Sequence, residues 1–248
     1  MTEKKQRLDR LVAELGLAQS RQRSRALIMA GRILVNSQPV EKPGTLVLKS
    51  DEIILRGDEP VYVSRGGIKL ETGLDAFKLK VTGLLCLDVG ASTGGFTDCL
   101  LQHGARRVFA VDVGYGQLAW KIRQDPRVSV IERMNIRYMP KDAIAEPVDL
   151  ATIDVSFISL RIVVPAVLKF MKNEAAVIAL IKPQFEVGKN NVGKGGVVRN
   201  PDLHNRVIAD LTDFFSKIGL TCRSLVCSPI LGPKGNKEFL VHLTCDKN

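Results

Sequence analysis

A chain of 248 residues holds one large domain or a large and a small one, and its 45% apolar content is that of a globular protein. A formal charge of +10 exceeds what an enzyme of small acids needs and favours a polyanionic partner. Five cysteines (Cys86, Cys99, Cys222, Cys227, Cys245) without a CxxC pair, three scattered histidines and no apolar run of ~18 residues argue against disulfides, metal and a spanning segment, so a cytoplasmic protein without membrane insertion is expected. In chain order, Leu8, Leu11, Val12 and Leu15 recur at helical spacing before Gly16. Ser20 caps a second helix over residues 21–30, closed by Gly31 and carrying Arg21, Arg23 and Arg25, with Arg32 just beyond. Short strands follow at 33–35, 45–48 and 52–55, with a turn at 36–38. Residues 1–40 hold eight Lys or Arg against three acids, half of the chain's whole excess.

Leu8-Asp9, Ser20-Arg21, Ala26-Leu-Ile28, Gly31-Arg-Ile-Leu-Val-Asn36, Val40-Glu-Lys-Pro43 and Asp51-Glu-Ile53 resemble the small RNA-binding domain of the ribosomal-protein S-four type. The resemblance covers nearly all of residues 7–56. It implies that Arg21, Arg23, Arg25 and Arg32 meet RNA, mainly at phosphates. The expected division is a basic RNA-binding domain over 1–58 and a second domain over 59–248, with a hinge at 58–60.

Beyond the hinge the chain alternates strand and helix, the pattern of a parallel α/β sheet. Strands are predicted over 84–89, 107–113, 128–133, 149–154 and 175–182, and helices over 66–77, 95–103, 117–124, 160–171 and 201–217. Residues 221–227 and 238–244, joined by a Pro/Gly/Lys loop, read as an antiparallel hairpin.

The run Leu84-Leu-Cys-Leu-Asp88-Val-Gly90-Ala-Ser92-Thr-Gly94-Gly95-Phe96-Thr97 is a buried strand entering a Gly-rich turn and a helix. A dinucleotide site is the rival reading. The acid two residues before the first glycine sits badly beside a pyrophosphate and well near an ammonium. The register resembles the first motif of S-adenosylmethionine (SAM)-dependent methyltransferases. SAM is the implied cofactor, with Asp88, Gly90, Ser92, Gly94, Gly95 and Phe96 around it. Asp112, ending the next strand, suits ribose hydroxyls in either family, and Asn135 is placed to face an adenine amine.

Asp154 and Lys182 each end an apolar run, so in a parallel sheet both lie at the carboxyl edge, where ligands bind. Lys69, in the first turn of a helix running antiparallel to the first strand, and Glu238, opening an antiparallel strand, belong at the same edge. Two amines beside two carboxylates can hold one amine ready to take a proton. Lys69, Asp154, Lys182 and Glu238, in that order, resemble the tetrad of FtsJ-type RNA ribose 2′-O-methyltransferases. With the N-terminal domain the whole chain resembles the TlyA (haemolysin A) family of rRNA methyltransferases. Ser64-Arg-Gly-Gly-Ile-Lys69, Asp154-Val-Ser-Phe-Ile-Ser159, Ile181-Lys-Pro-Gln-Phe-Glu-Val-Gly188 and Gly235-Asn-Lys-Glu238 carry that match.

The resemblance implies a Rossmann-like methyltransferase sheet, mostly parallel with an antiparallel C-terminal hairpin, behind a small α+β RNA-binding domain. It implies rRNA or ribosomal subunits as partner and methyl transfer to a ribose 2′-hydroxyl, with Lys182 as base and Asp154 also near the sulfonium. Asp154-Val-Ser-Phe157 departs from the Asp/Asn-Pro-Pro-aromatic turn of base-amino methyltransferases, which favours oxygen as acceptor. A ribosome-binding factor with little or no methyl transfer and a membrane-active haemolysin are the alternatives. Residues 184–200, with Lys189 and Lys194, are expected to form a mobile lid that grips phosphate, and Phe157, Phe185 and Trp120 to pack in the core.

Overall fold

The computed structural model describes residues 5–18, 20–57, 61–188 and 191–245. Two compact units divide the chain, Met1–Val61 and Tyr62–Asn248.

In the first unit, β1 (Gln6–Arg7) and α1 (Leu8–Glu14) precede α2 (Arg21–Met29). The strands β2 (Ile33–Val35), β3 (Gln38–Pro39), β4 (Leu46–Val47) and β5 (Ile53–Leu55) follow. Ser20 accepts a hydrogen bond from the Arg23 amide and so caps α2. Asn36 and Ser37, both with positive φ, turn β2 back onto β3, and β5 pairs on the other side of β2. Leu8, Leu11, Val12, Leu27, Ile28 and Ile33 form a small core, while Leu15 is exposed because α1 ends one residue before it.

The second unit opens with α3 (Gly66–Phe77), β6 (Leu85–Val89), α4 (Gly95–Gln102) and β7 (Arg107–Val111). It continues through α5 (Trp120–Arg123), β8 (Val128–Ile131), β9 (Val148–Ile153), α6 (Leu160–Val167) and β10 (Met171–Ile181). The last elements are α7 (Pro201–Lys217), β11 (Leu220–Cys227) and β12 (Phe239–Cys245). One sheet has the order β11-β12-β10-β9-β6-β7-β8. Strands β6 to β10 are parallel, and β12 runs antiparallel between β10 and β11.

Because β6 is fully buried, its run Leu-Cys-Leu-Asp-Val needs no alternation. The chain leaves β6 toward β7 on one side and returns as β9 on the other, so a crevice opens at the carboxyl ends of β6 and β9.

Several boundaries differ from the expectation, among them the helix expected over 160–171, which ends as α6 at Val167 ahead of a 3-10 turn at Leu168–Phe170. Strand β10 starts at Met171, not 175, because Met171 pairs with Val148 and a register shift absorbs the polar stretch before Ala176. The helix expected over 117–124 is reduced to α5. Trp120 opens it with 73% of its surface exposed, so it is not a core residue.

Candidate active site

The crevice holds two adjoining clefts that share Gly90, Ser92, Asp154 and Ser156. The larger, about 490 Å³, is lined by Val111, Asp112, Val113, Asn135 and Ile136 among others. The smaller, about 300 Å³, contains Lys69, Asp154, Lys182 and Glu238 together. Four residues up to 169 positions apart in the chain thus line one space.

Gly90 makes the junction. Its φ is +85°, and a Cβ there would lie 2.4 Å from the carbonyl oxygen of Asp154. The backbone after β6 therefore rests directly on the backbone after β9. Gly94, at positive φ, and Gly95 open α4, whose Phe96 is buried at the edge of the smaller cleft. The Asp112 carboxylate accepts the Ser92 amide at 2.8 Å and the Gly114 amide at 2.7 Å, which holds it at the rim of the larger cleft. Asn135 lines the same cleft, with its Oδ1 accepting the Arg137 amide at 3.1 Å.

Asp88 departs from the expectation. It is fully buried, accepting Thr97 Oγ1 at 2.6 Å and Thr152 Oγ1 at 3.0 Å, and it lines neither cleft. Cross-strand register places Thr152 beside it. Burial, partly offset by those two hydroxyls, pushes its carboxyl up to about 7. Asp88 thus ties β6 to α4 and β9 instead of facing an ammonium.

The tetrad consists of two amine–carboxylate pairs. Lys69 Nζ donates to Glu238 Oε2 at 2.6 Å, with side-chain exposures of 11% and 0%. The other oxygen, Oε1, has no partner among the described residues, and Gly232 leaves room for it, since a Cβ there would lie 1.9 Å away. Lys182 Nζ lies 2.5 Å from Asp154 Oδ1 in a charge contact, and its directed hydrogen bond goes to Ser156 Oγ at 3.0 Å. Ser156 was not anticipated; its place two residues after Asp154 is the only sequence signal for it.

The aromatic side chains also differ from the expectation. Phe157 is 91% exposed at φ +65°, and its ring lies 5.0 Å from that of half-buried Phe185. Neither could be assigned to a surface from residue type alone. Tyr115 and Tyr138 are exposed as well, covered by Arg133 at 4.2 Å and Arg137 at 5.0 Å. These Arg–Tyr stacks follow β7 and β8 and were not read from the sequence.

Among the described residues, the segment expected as a mobile lid is bonded near both of its ends. Glu186 accepts Ser159 Oγ at 2.6 Å and the Leu160 amide at 2.8 Å. Asn236 Oδ1 accepts the Val198 amide and its Nδ2 donates to the Gly196 carbonyl, each at 3.0 Å. Lys194 is exposed on the turn between Gly193 and Val197, and Lys189 lies outside the described residues.

In the N-terminal unit the four arginines divide. Arg23 and Arg25 are exposed. Arg21 Nε donates at 3.1 Å to Asp9, a buried acid also held by Arg7. Arg32 donates to the carbonyls of Arg56 and Gly57, which gives it a bracing role.

A family model described as FtsJ-like methyltransferase matches residues 62–245, and one described as the S4 domain matches residues 6–53. "Putative rRNA methyltransferase YqxC" of Bacillus subtilis is 48% identical over 98% of this chain and 87% of its own length. "16S/23S rRNA (cytidine-2′-O)-methyltransferase TlyA" of Mycobacterium tuberculosis is 45% identical over 96% of this chain and 89% of its own. Among solved structures, the "putative hemolysin from Streptococcus thermophilus" superposes with a TM-score of 0.76 at 43% identity, covering 98% of this chain and 89% of that one.

Proposed function

The chain belongs to the FtsJ-like methyltransferase family and carries an N-terminal S4 domain, and from that premise we propose that it methylates a ribose 2′-hydroxyl of ribosomal RNA with SAM as donor. The observation that carries the reading is the junction of the two clefts. A largely apolar space with an acid at its rim opens directly onto two amine–carboxylate pairs, each with one buried member. The larger cleft fits the donor: Asp112 offers acceptors for ribose hydroxyls, Val111, Val113 and Ile136 suit an adenine, and Gly90 leaves its floor bare. Bound SAM supplies the methyl group and a sulfonium that leaves as a neutral thioether.

The chain's own residues do the rest. Lys182 Nζ, once it has given up a proton and stands as the neutral amine, receives the proton of the 2′-hydroxyl, and Asp154, 2.5 Å away, stabilises the ammonium that forms. Ser156 holds the same amine in direction. Lys69, anchored by Glu238, supplies positive potential where the oxygen gains charge. Holding the hydroxyl in line with the methyl carbon is the larger part of the acceleration. Residues 1–58 would dock the RNA through Arg23 and Arg25, with Arg21 and Arg32 in support. Lys189 and Lys194 would hold phosphates, and the Arg133–Tyr115 and Arg137–Tyr138 stacks suit an RNA-facing rim.

The test is transfer of labelled methyl from SAM to ribosomal subunits and to naked rRNA, followed by mapping of 2′-O-methyl positions. Label at a ribose is expected. RNA binding without any transfer would favour the silent ribosome-binding factor, and label on a base nitrogen would overturn oxygen as acceptor. Relatives named as hemolysins make lysis worth one control, leakage of vesicles exposed to the purified chain, for which no effect is expected.

A further inference from the structure

We infer that Glu186 is a positioning residue for the Lys182–Asp154 pair, acting as a clasp between the two loops that carry them; the inference rests on the proposed methyl transfer. The loop after β9 holds Asp154, Ser156 and Phe157, and the loop after β10 holds Lys182, Phe185 and Glu186. The two loops meet at three levels. Next to the sheet, Lys182 reaches Asp154 and Ser156. Farther out, Phe185 packs on Phe157. Outermost, the Glu186 carboxylate accepts Ser159 Oγ and the Leu160 amide.

Two further observations make the outer contact matter for the inner one. First, the β9 loop holds Phe157 at φ +65°, a conformation unfavourable for a bulky residue, and that residue is 91% exposed, so burial does little to hold it there. The loop must be gripped at its ends. Gly90 seats the Asp154 carbonyl at one end, and Glu186 grips Ser159 and Leu160 at the other. Second, Leu160 begins α6, whose unpaired first amides and dipole favour a carboxylate there, so the grip is directional and charge-assisted. With Glu186 gone, the outer end of the β9 loop loses both of its bonds to the β10 loop, and Asp154 and Ser156 can drift relative to Lys182. Glu186 lines neither of the two clefts, so it acts only through other residues.

The experiment uses the full chain in four forms: wild type, Glu186→Ala, Glu186→Gln and Ser159→Ala. Single-turnover methyl transfer to rRNA is measured at saturating SAM, alongside SAM and RNA affinities and hydrogen exchange of the segment 154–160. For Glu186→Ala the rate falls about tenfold or more, because misplacement of a base is costly, while both affinities stay within about twofold. Ser159→Ala removes one of the two Glu186 bonds together with the Arg161 amide's cap, and its rate falls between. Glu186→Gln largely restores the rate, since its carbonyl can accept the Leu160 amide and its NH₂ can donate to Ser159 Oγ. Exchange over 154–160 rises in the alanine variant and returns in the glutamine one.

Equal exchange in wild type and Glu186→Ala overturns the clasp, whatever the activity. Faster exchange with an unchanged transfer rate overturns the positioning role and leaves a helix cap. Absence of transfer by the wild type sinks the proposed function instead, and the exchange arm still decides whether the clasp exists.

Discussion

In the N-terminal unit the arginines of α2 lie in solvent. Arg23 and Arg25 are exposed, and even Arg21, bonded to Asp9, keeps 58% of its side chain accessible. In the C-terminal unit Lys69 and Lys182 keep 11% and 9%, and each meets a carboxylate within 2.6 Å. Exposed charges keep their hydration, so they bind a polyanion in exchange for released counterions and contribute little to folding. Sequestered charges have given up water, so each depends on its partner and on the geometry around it. Under the proposed function, cationic side chains serve affinity in one region and chemistry in the other.

Substitutions at six positions test that contrast, beginning with the largest effect. Lys182→Ala should lower methyl transfer about a thousandfold while SAM affinity, by calorimetry, stays within about threefold; turnover near the wild-type rate would remove Lys182 as base. Glu238→Ala strands a nearly buried Lys69 and should cost about 3 kcal/mol in urea unfolding; an unchanged midpoint would mean that this pair behaves like a surface one. Asp88→Asn probes a buried carboxyl held by the Thr97 and Thr152 hydroxyls and the Thr97 amide, with no cation beside it among the described residues. Its carboxyl binds a proton more tightly in the folded chain than in the unfolded one. The stability tied to that proton is complete below about pH 4 and is lost as pH rises through about 7. Asparagine has no such loss, so its melting temperature relative to wild type should climb between those values; a flat difference would place the titration elsewhere.

The smallest effect is expected from Arg23→Ala with Arg25→Ala. Stability should stay within about 0.5 kcal/mol, while RNA affinity drops several-fold and the salt slope flattens by about one per arginine lost. Arg21→Ala, which withdraws a partner from Asp9, should cost about 1 kcal/mol of stability. If Arg21→Ala and Arg23→Ala proved alike in both measurements, the division among the arginines would collapse.

Sheet logic made much of this legible in the sequence. Apolar runs ending in Asp154 and Lys182 put both at one edge, and strand direction brought Lys69 and Glu238 there too. The Gly-rich turn was readable because a positive φ and a close backbone approach leave little choice of residue at Gly90. What stayed hidden depends on partners from other elements. Asp88 looked like a ligand-facing acid, because nothing local says that Thr97 and Thr152 take its oxygens. Phe157 and Trp120 looked like core, since a lone aromatic carries no record of which way its backbone turns. The long polar segment before α7 suggested mobility, yet Glu186 and Asn236, each alone in its stretch of sequence, secure it.

Asn236 carries one more consequence. It sits two residues before Glu238 and clips itself to Val198, 38 positions earlier. Everything between, including α7 and all of β11, is an excursion that departs from and returns to a single stapled mouth. Gly219, where an added Cβ would touch nothing within 4 Å, marks its far bend. Extra residues grafted at that bend would lengthen the excursion and leave its mouth, with Glu238 beside it, where it stands.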